Sequence, residues 1–155
     1  MNIFALDYDP KKSARCHVNS HVVKMPLETA QMLCTARHVL GSNSEPKYKP
    51  SHKNHPCTKW VMESRENYIW LCKFGLELCD EYSWRYWRTH ACRKVILDCL
   101  DDAPEFDSDK LTVFALAMPD DCKLADPVSS YRKYYQEYKK HLFKWKDREV
   151  PEWIG

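Results

Sequence analysis

His21, Lys24 and Glu28 occupy positions that a helix brings to one face, because successive residues advance by ~100° and side chains three or four apart become neighbours. A carboxylate, a cation and an imidazole on one strip can do acid–base work. Glu28 can take or hold a proton, or stabilise a positive charge that forms beside it. The plainer alternative is a salt bridge between Glu28 and Lys24. Continuing the wheel from residue 17 to 40 adds His17, Gln31, Thr35 and His38 on or near the strip. Val18, Val22, Met25, Leu27, Ala30, Leu33 and Leu40 spread over most of the remaining circumference. A helix that is apolar over so much of its surface is buried. The polar strip is therefore either its one opening to solvent or the wall of a cleft.

Two other segments carry chemistry. His52-Lys53-Asn54-His55-Pro56-Cys57-Thr58-Lys59 places two imidazoles, two lysines and a thiol just ahead of a helix expected to start near Thr58. The free N–H groups and positive dipole end of a helix N-terminus suit a phosphate, although an ordinary capped loop would look the same. The segment from Tyr131 to His141 alternates rings with cations, including Arg132, Lys133, Tyr134, Lys139 and Lys140. Rings stack on bases and cations neutralise phosphates, so such interleaving suits nucleic acid. The competing reading is an amphipathic helix with tyrosines inward and lysines solvated.

The elements that must position these residues follow from punctuation and periodicity. The 155 residues suffice for one domain with a core of its own. With 44% hydrophobic residues, 13% aromatic residues and only three glycines, a mainly α, single compact helical domain spanning 1–155 is expected. Asp9-Pro10 and Asp126-Pro127 each pair an N-cap with a proline in the first turn. The first helical region is expected to break or restart near Pro26 and to end at Gly41. A long loop over 42–57, a helix over 58–86 and another over 90–100 follow. Residues 2–7 and 111–117 both contain Phe-Ala-Leu and are expected to pair as a small two-stranded β element, which would tie the N-terminus into a sheet.

The formal charge of +2 leaves any nucleic-acid affinity to local clusters. No segment has the apolar length of a membrane span and no signal-peptide pattern opens the chain, so an intracellular, cytoplasmic protein is expected. On that basis the eight cysteines are expected to be reduced. Cys72/Cys79 and Cys92/Cys99 repeat at helical spacing, as small buried hydrophobes do. Cys16/His17/His21 and His52/His55/Cys57 leave a zinc site as the competing reading, but no CxxC occurs and no metal or cofactor is expected.

In order along the chain, these pieces resemble the phage-type pyrimidine-dimer DNA glycosylases, the endonuclease V family. The resemblance rests on His21 with Glu28 seven residues later and Pro26 between them, on His55 ahead of a long aromatic-rich helix, and on Lys133-Tyr134-Tyr135 near the C-terminus. It implies a glycosylase with abasic-site lyase activity that acts on duplex DNA bearing a damaged or modified base. In such enzymes the N-terminal amine attacks the sugar's anomeric carbon. Glu28 would then assist imine formation and ring opening, and His21 would position sugar or phosphate. Lys24, His52, His55, Lys59, Arg132, Lys133, Tyr134 and Lys140 would hold DNA. The family's small second residue is Asn2 here, whose bulk favours retention of Met1, so the amine is that of Met1 or Asn2. The family's arginines beside the glutamate are absent, with Lys24 the nearest cation. A monomer is expected. The other classes the residues allow are a non-catalytic nucleic-acid-binding module and a Cys/His metal-binding interaction protein.

Overall fold

A computed structural model describes residues 1–155, and the chain is mainly helical, with six α-helices and two 3-10 turns. Each helix start has a local cause. The Asp9 carboxylate accepts from the Lys11 and Lys12 N–H groups to open α1 (Pro10–Cys16), and Asp126 accepts from Ser129 N–H to open α6 (Pro127–Tyr138). Between α1 and α2 (Asn19–Leu40) the backbone is extended at His17 and Val18. The expected break near Pro26 therefore lies upstream, and α2 runs through the proline to Gly41, which has a φ of 97°.

The helix expected over 58–86 is two helices, α3 (Pro56–Glu63) and α4 (Arg65–Tyr86). Ser64 separates them. Its backbone is extended and its buried hydroxyl caps Asn67 N–H at 3.1 Å, while the Ser108 and Asp109 carbonyls accept from Arg65 and Glu66. A serine embedded in an otherwise helical run gives little warning of this. α5 spans Cys92–Asp101.

No β-strand forms, so the expected pairing of residues 2–7 with 111–117 is corrected. Both segments are present as irregular backbone, and side chains take the hydrogen bonds that a partner strand would have taken. Asn2 Oδ1 accepts from Ile3 and Phe4 N–H, Ser13 Oγ accepts from Leu6 N–H, and Arg132 Nε donates to Leu6 O. Across the chain Trp60 donates to Thr112 O, Tyr131 to Ala115 O and Asn2 Nδ2 to Ala117 O. The two segments do meet, through Asn2 and Tyr131, without a ladder.

One hydrophobic core joins the N-terminal segment, α1 to α6 and Phe114. α2 and α4 form its centre and run antiparallel: Arg85 reaches His17 O and Asn19 Oδ1, while Gly75 faces Thr29. A Cβ at Gly75 would lie 2.8 Å from the Thr29 methyl, so only glycine permits this approach without repacking. Arg85 is fully buried and also donates to Arg15 O and Glu81, closing the joint between α1 and α2 onto α4. All eight cysteines are free thiols and all but Cys16 are buried. No helix is long and apolar enough to cross a membrane.

Candidate active site

The N-terminus ends against α2. The Met1 amine lies 3.2 Å from Glu28 Oε1, and the Asn2 backbone N–H donates to the same oxygen at 3.0 Å. Lys24 Nζ stands 3.6 Å from Oε2, one helical turn away, with its side chain 70% exposed. Glu28 is therefore a buried carboxylate that faces an amine on one oxygen and a solvated cation on the other. The salt bridge with Lys24 and the more interesting arrangement coexist.

Asn2 fixes this geometry. Its Oδ1 accepts from Ile3 N–H at 2.8 Å and Phe4 N–H at 3.2 Å, and its Nδ2 donates to Ala117 O at 2.8 Å. The turn it makes sends Phe4 into the left-handed region at φ 54°, which bulky residues rarely occupy. The Phe4 ring is thereby inserted between His21 (centroids 4.5 Å apart) and Tyr134 (5.7 Å), both near parallel to it. Lys139 lies beside this column, its ammonium 5.0 Å from the Tyr134 ring centroid and 5.8 Å from that of Phe4.

His21 Nδ1 lies 2.6 Å from the Tyr135 hydroxyl, which also accepts from Val18 N–H. Burial keeps Tyr135 protonated, so its proton goes to His21 Nδ1 and the imidazole proton sits on Nε2. Burial, and then the positive charges of Lys139 and Lys24, push His21 down to about 4. It is a neutral donor at neutral pH. His17 behind it is wholly buried and pushed down to about 3, chiefly by burial.

His55 stands at the start of α3. Its Nδ1 caps α3 by accepting Cys57 N–H at 3.0 Å. Burial, and then the positive charges of the N-terminal ammonium and His52, lower its pKa, with Glu28 opposing. Cys57 lies under the site, its thiol pushed up to about 11 by burial. His52 is exposed with φ 49°, and Lys59 is exposed on α3.

The α6 residues divide in their engagements. Tyr134 belongs to the ring column. Arg132 is held by Leu6 O at 2.9 Å and Asp7 at 3.3 Å and stacks on Trp153, so it anchors the segment that carries the amine. Lys133 donates to Asp121 O, and Lys140 is exposed beyond the end of the helix. Neither Cys/His cluster converges, and no group of three or more His, Cys, Asp or Glu side chains is placed to hold a metal.

Residue typing does not point to Phe4. Tyr135 and Lys139 lie in the ring-and-cation segment, and the four-residue spacing of Tyr131 and Tyr135 puts both rings on the inward face of α6. The His21–Glu28 strip was the accessible signal. The residues that support it come from other parts of the chain.

The helical domain thus holds an N-terminal amine against a buried carboxylate, with rings and lysines beside it. The model of the pyrimidine dimer DNA glycosylase family matches residues 1–94, which include the amine, Glu28, His55 and all of α4. The chain belongs to that family. Membership makes it a DNA-glycosylase-type protein of DNA repair, with DNA as the substrate. Comparison with curated proteins and with solved structures gave no match.

Proposed function

We propose that the protein is a DNA glycosylase with associated abasic-site lyase activity, using its N-terminal amine as nucleophile and Glu28 as the assisting carboxylate. A single observation carries this reading: Met1 N and Asn2 N both lie within 3.2 Å of Glu28 Oε1. A chain that retains Met1 and one that begins at Asn2 would both present an amine to the same oxygen. The nitrogen sheds a proton, for which Glu28 is the acceptor within reach, and forms a bond to the sugar's anomeric carbon. The bond to the base breaks and its electron pair leaves with the base. Glu28 then returns the proton to the ring oxygen as the C1′–O4′ bond breaks and the sugar opens to an imine. The imine makes the C2′ proton acidic, and its loss expels the 3′ phosphate.

Phe4, His21 and Tyr134 form a stacked wall for a nucleotide drawn out of the duplex. Neutral His21 donates Nε2–H to sugar or phosphate oxygen. Lys24, His52, His55, Lys59, Lys133, Lys139 and Lys140 face the backbone, and Arg132 serves by fixing residues 6 and 7.

The test is borohydride trapping on duplex DNA with one abasic site, followed by peptide mapping of the adduct. An adduct on the α-amine of Met1 or Asn2 is expected. No adduct with abasic or ultraviolet-irradiated duplex, or one on a lysine side chain, overturns the reading.

A further inference from the structure

Trp87 is the most exposed large hydrophobic side chain in the protein, at 88%, and it sits at the end of α4 with φ 57° and ψ 36°. Helix ends in this left-handed conformation favour glycine or asparagine, since a bulky residue there is strained. The ring buries almost nothing and occupies an unfavourable backbone position. Neither stability nor solubility accounts for a tryptophan there.

Its surroundings suggest what does. Trp84, one turn earlier, is 56% exposed and is held in place: Nε1 donates to Asp147 O at 3.3 Å and the Arg148 guanidinium stacks on it at 4.6 Å. Between the two indoles lies an open depression of about 270 Å³ floored by Ser83 and Asp147. The Asp147 carboxylate is paired with Lys146 at 3.1 Å, whereas Arg88, next to Trp87, is exposed and makes no ion pair.

The depression lies at the end of α4 that meets the start of α2. Because α4 runs antiparallel to α2, Trp87 stands level with the first turn of α2, nine residues or ~14 Å along the axis from Glu28. His90 Nε2 contacts Val23 O at 2.9 Å, fastening the turn after Trp87 to α2. Between that contact and Glu28 the exposed residues of α2 are Lys24 and Leu27. Along the axis alone, that offset equals about four nucleotide steps of ~3.4 Å.

We infer that the Trp84–Trp87 cleft is a stacking site for an unpaired nucleobase of the DNA strand, with Arg88 on the adjoining phosphate. Aromatic faces accept any base, and a flanking cation supplies the complementary charge. The inference rests on DNA being the substrate and is independent of the chemistry proposed for Glu28.

Trp87→Gly suits the left-handed backbone and keeps the fold, and Trp87→Phe keeps a ring. Fluorescence anisotropy would compare a fully paired duplex with the same duplex carrying a two-nucleotide unpaired bulge. Wild type should prefer the bulged DNA. Trp87→Gly should lose about 5- to 100-fold on the bulged DNA, the range of one base–aromatic stack, with paired affinity unchanged. Trp87→Phe should retain most of the preference. Equal affinities of wild type and Trp87→Gly for bulged DNA overturn the inference, as does a loss seen only with a free nucleoside monophosphate. Borohydride trapping at saturating abasic duplex should be unchanged in Trp87→Gly. A protein that never traps yet shows the bulge effect would sink the active-site reading and leave this one standing.

Discussion

Replacing Glu28 by Gln removes a charge and keeps the shape. Oε1 accepts from the Met1 amine at 3.2 Å and from Asn2 N–H at 3.0 Å, and Oε2 faces Lys24 at 3.6 Å. The amide can still accept at Oε1, so the bond from Asn2 survives as a neutral one. What disappears is the ionic part of the contact with the amine. Hydrogen bonds to charged groups contribute about 1.5–3 kcal/mol and neutral ones about 1 kcal/mol, so the expected loss of stability is about 1–2 kcal/mol. The exposed Lys24 adds little to that. At roughly 2–4 °C per kcal/mol for a chain of this size, Tm should fall by several degrees. The chemical loss should be much larger, since a positioned acid–base group contributes about 10²- to 10⁴-fold. Single-turnover borohydride trapping and anisotropy on the same abasic duplex separate the two effects. Trapping should slow by at least about 100-fold while the Kd for DNA stays near that of wild type. Equal trapping rates for Glu28→Gln and wild type would refute the role of the carboxylate. Intact binding with no trapping in either protein would instead identify a DNA-binding module without catalysis.

Three further outcomes follow from the packing. His17 and His21, held near 3 and 4 in the folded chain, take up protons on unfolding, so stability is full above about pH 6.5 and falls with acid; at pH 5 the two together should have cost roughly 4 kcal/mol. Urea midpoints that stay flat between pH 7.5 and 5 would contradict their neutral burial. Arg85→Met removes the donors that join α4 to Arg15, His17 and Asn19 and leaves Glu81 with Arg148 alone, so a loss of about 3–5 kcal/mol is expected. A loss below about 1 kcal/mol in urea unfolding would show that this network is not what closes the joint. Gly75→Ala gains helix propensity but drives a methyl into Thr29 and Ile96, and overpacking of about 1–3 kcal/mol should leave it less stable by about 1 kcal/mol. A stabilised variant would mean that α2 and α4 can separate freely.

The parts of this architecture that were legible in the sequence are those fixed by neighbouring residues. Asp9 and Asp126 start helices because their carboxylates reach N–H groups two or three residues on, and Gly41 ends α2 because it alone tolerates its backbone. The His21, Lys24 and Glu28 strip is a consequence of helix geometry, and Glu28 with Lys24 could be anticipated on spacing alone. What could not be anticipated depends on distant partners. Ser64 divides a helical run because residues 108 and 109 return to accept from the start of α4. The segments 2–7 and 111–117 have strand-like composition, but the side chains of Asn2, Ser13, Trp60, Tyr131 and Arg132, several of them far away in sequence, supply the hydrogen bonds, and a ladder is not needed. Glu28 meets the Asn2 N–H across 26 residues, and the Met1 amine one position further, contacts no periodicity encodes.

The same contacts explain why the N-terminal segment is both extended and buried. An amine can attack only if its backbone approaches Glu28 closely, and a helix or strand beginning at residue 2 would use N–H groups that here serve the site. Asn2 solves this by turning its own side chain onto Ile3 and Phe4 while reaching Ala117, so the backbone N–H of Asn2 remains for Glu28. That turn requires Phe4 in the left-handed region, and the strain is offset by stacking between His21 and Tyr134. Substituting Asn2 should therefore disturb the amine, the ring column and the 111–117 segment together. The candidate site is drawn from residues 1–6, α2 and α6, and the Met1 and Asn2 nitrogens meet at one oxygen of Glu28.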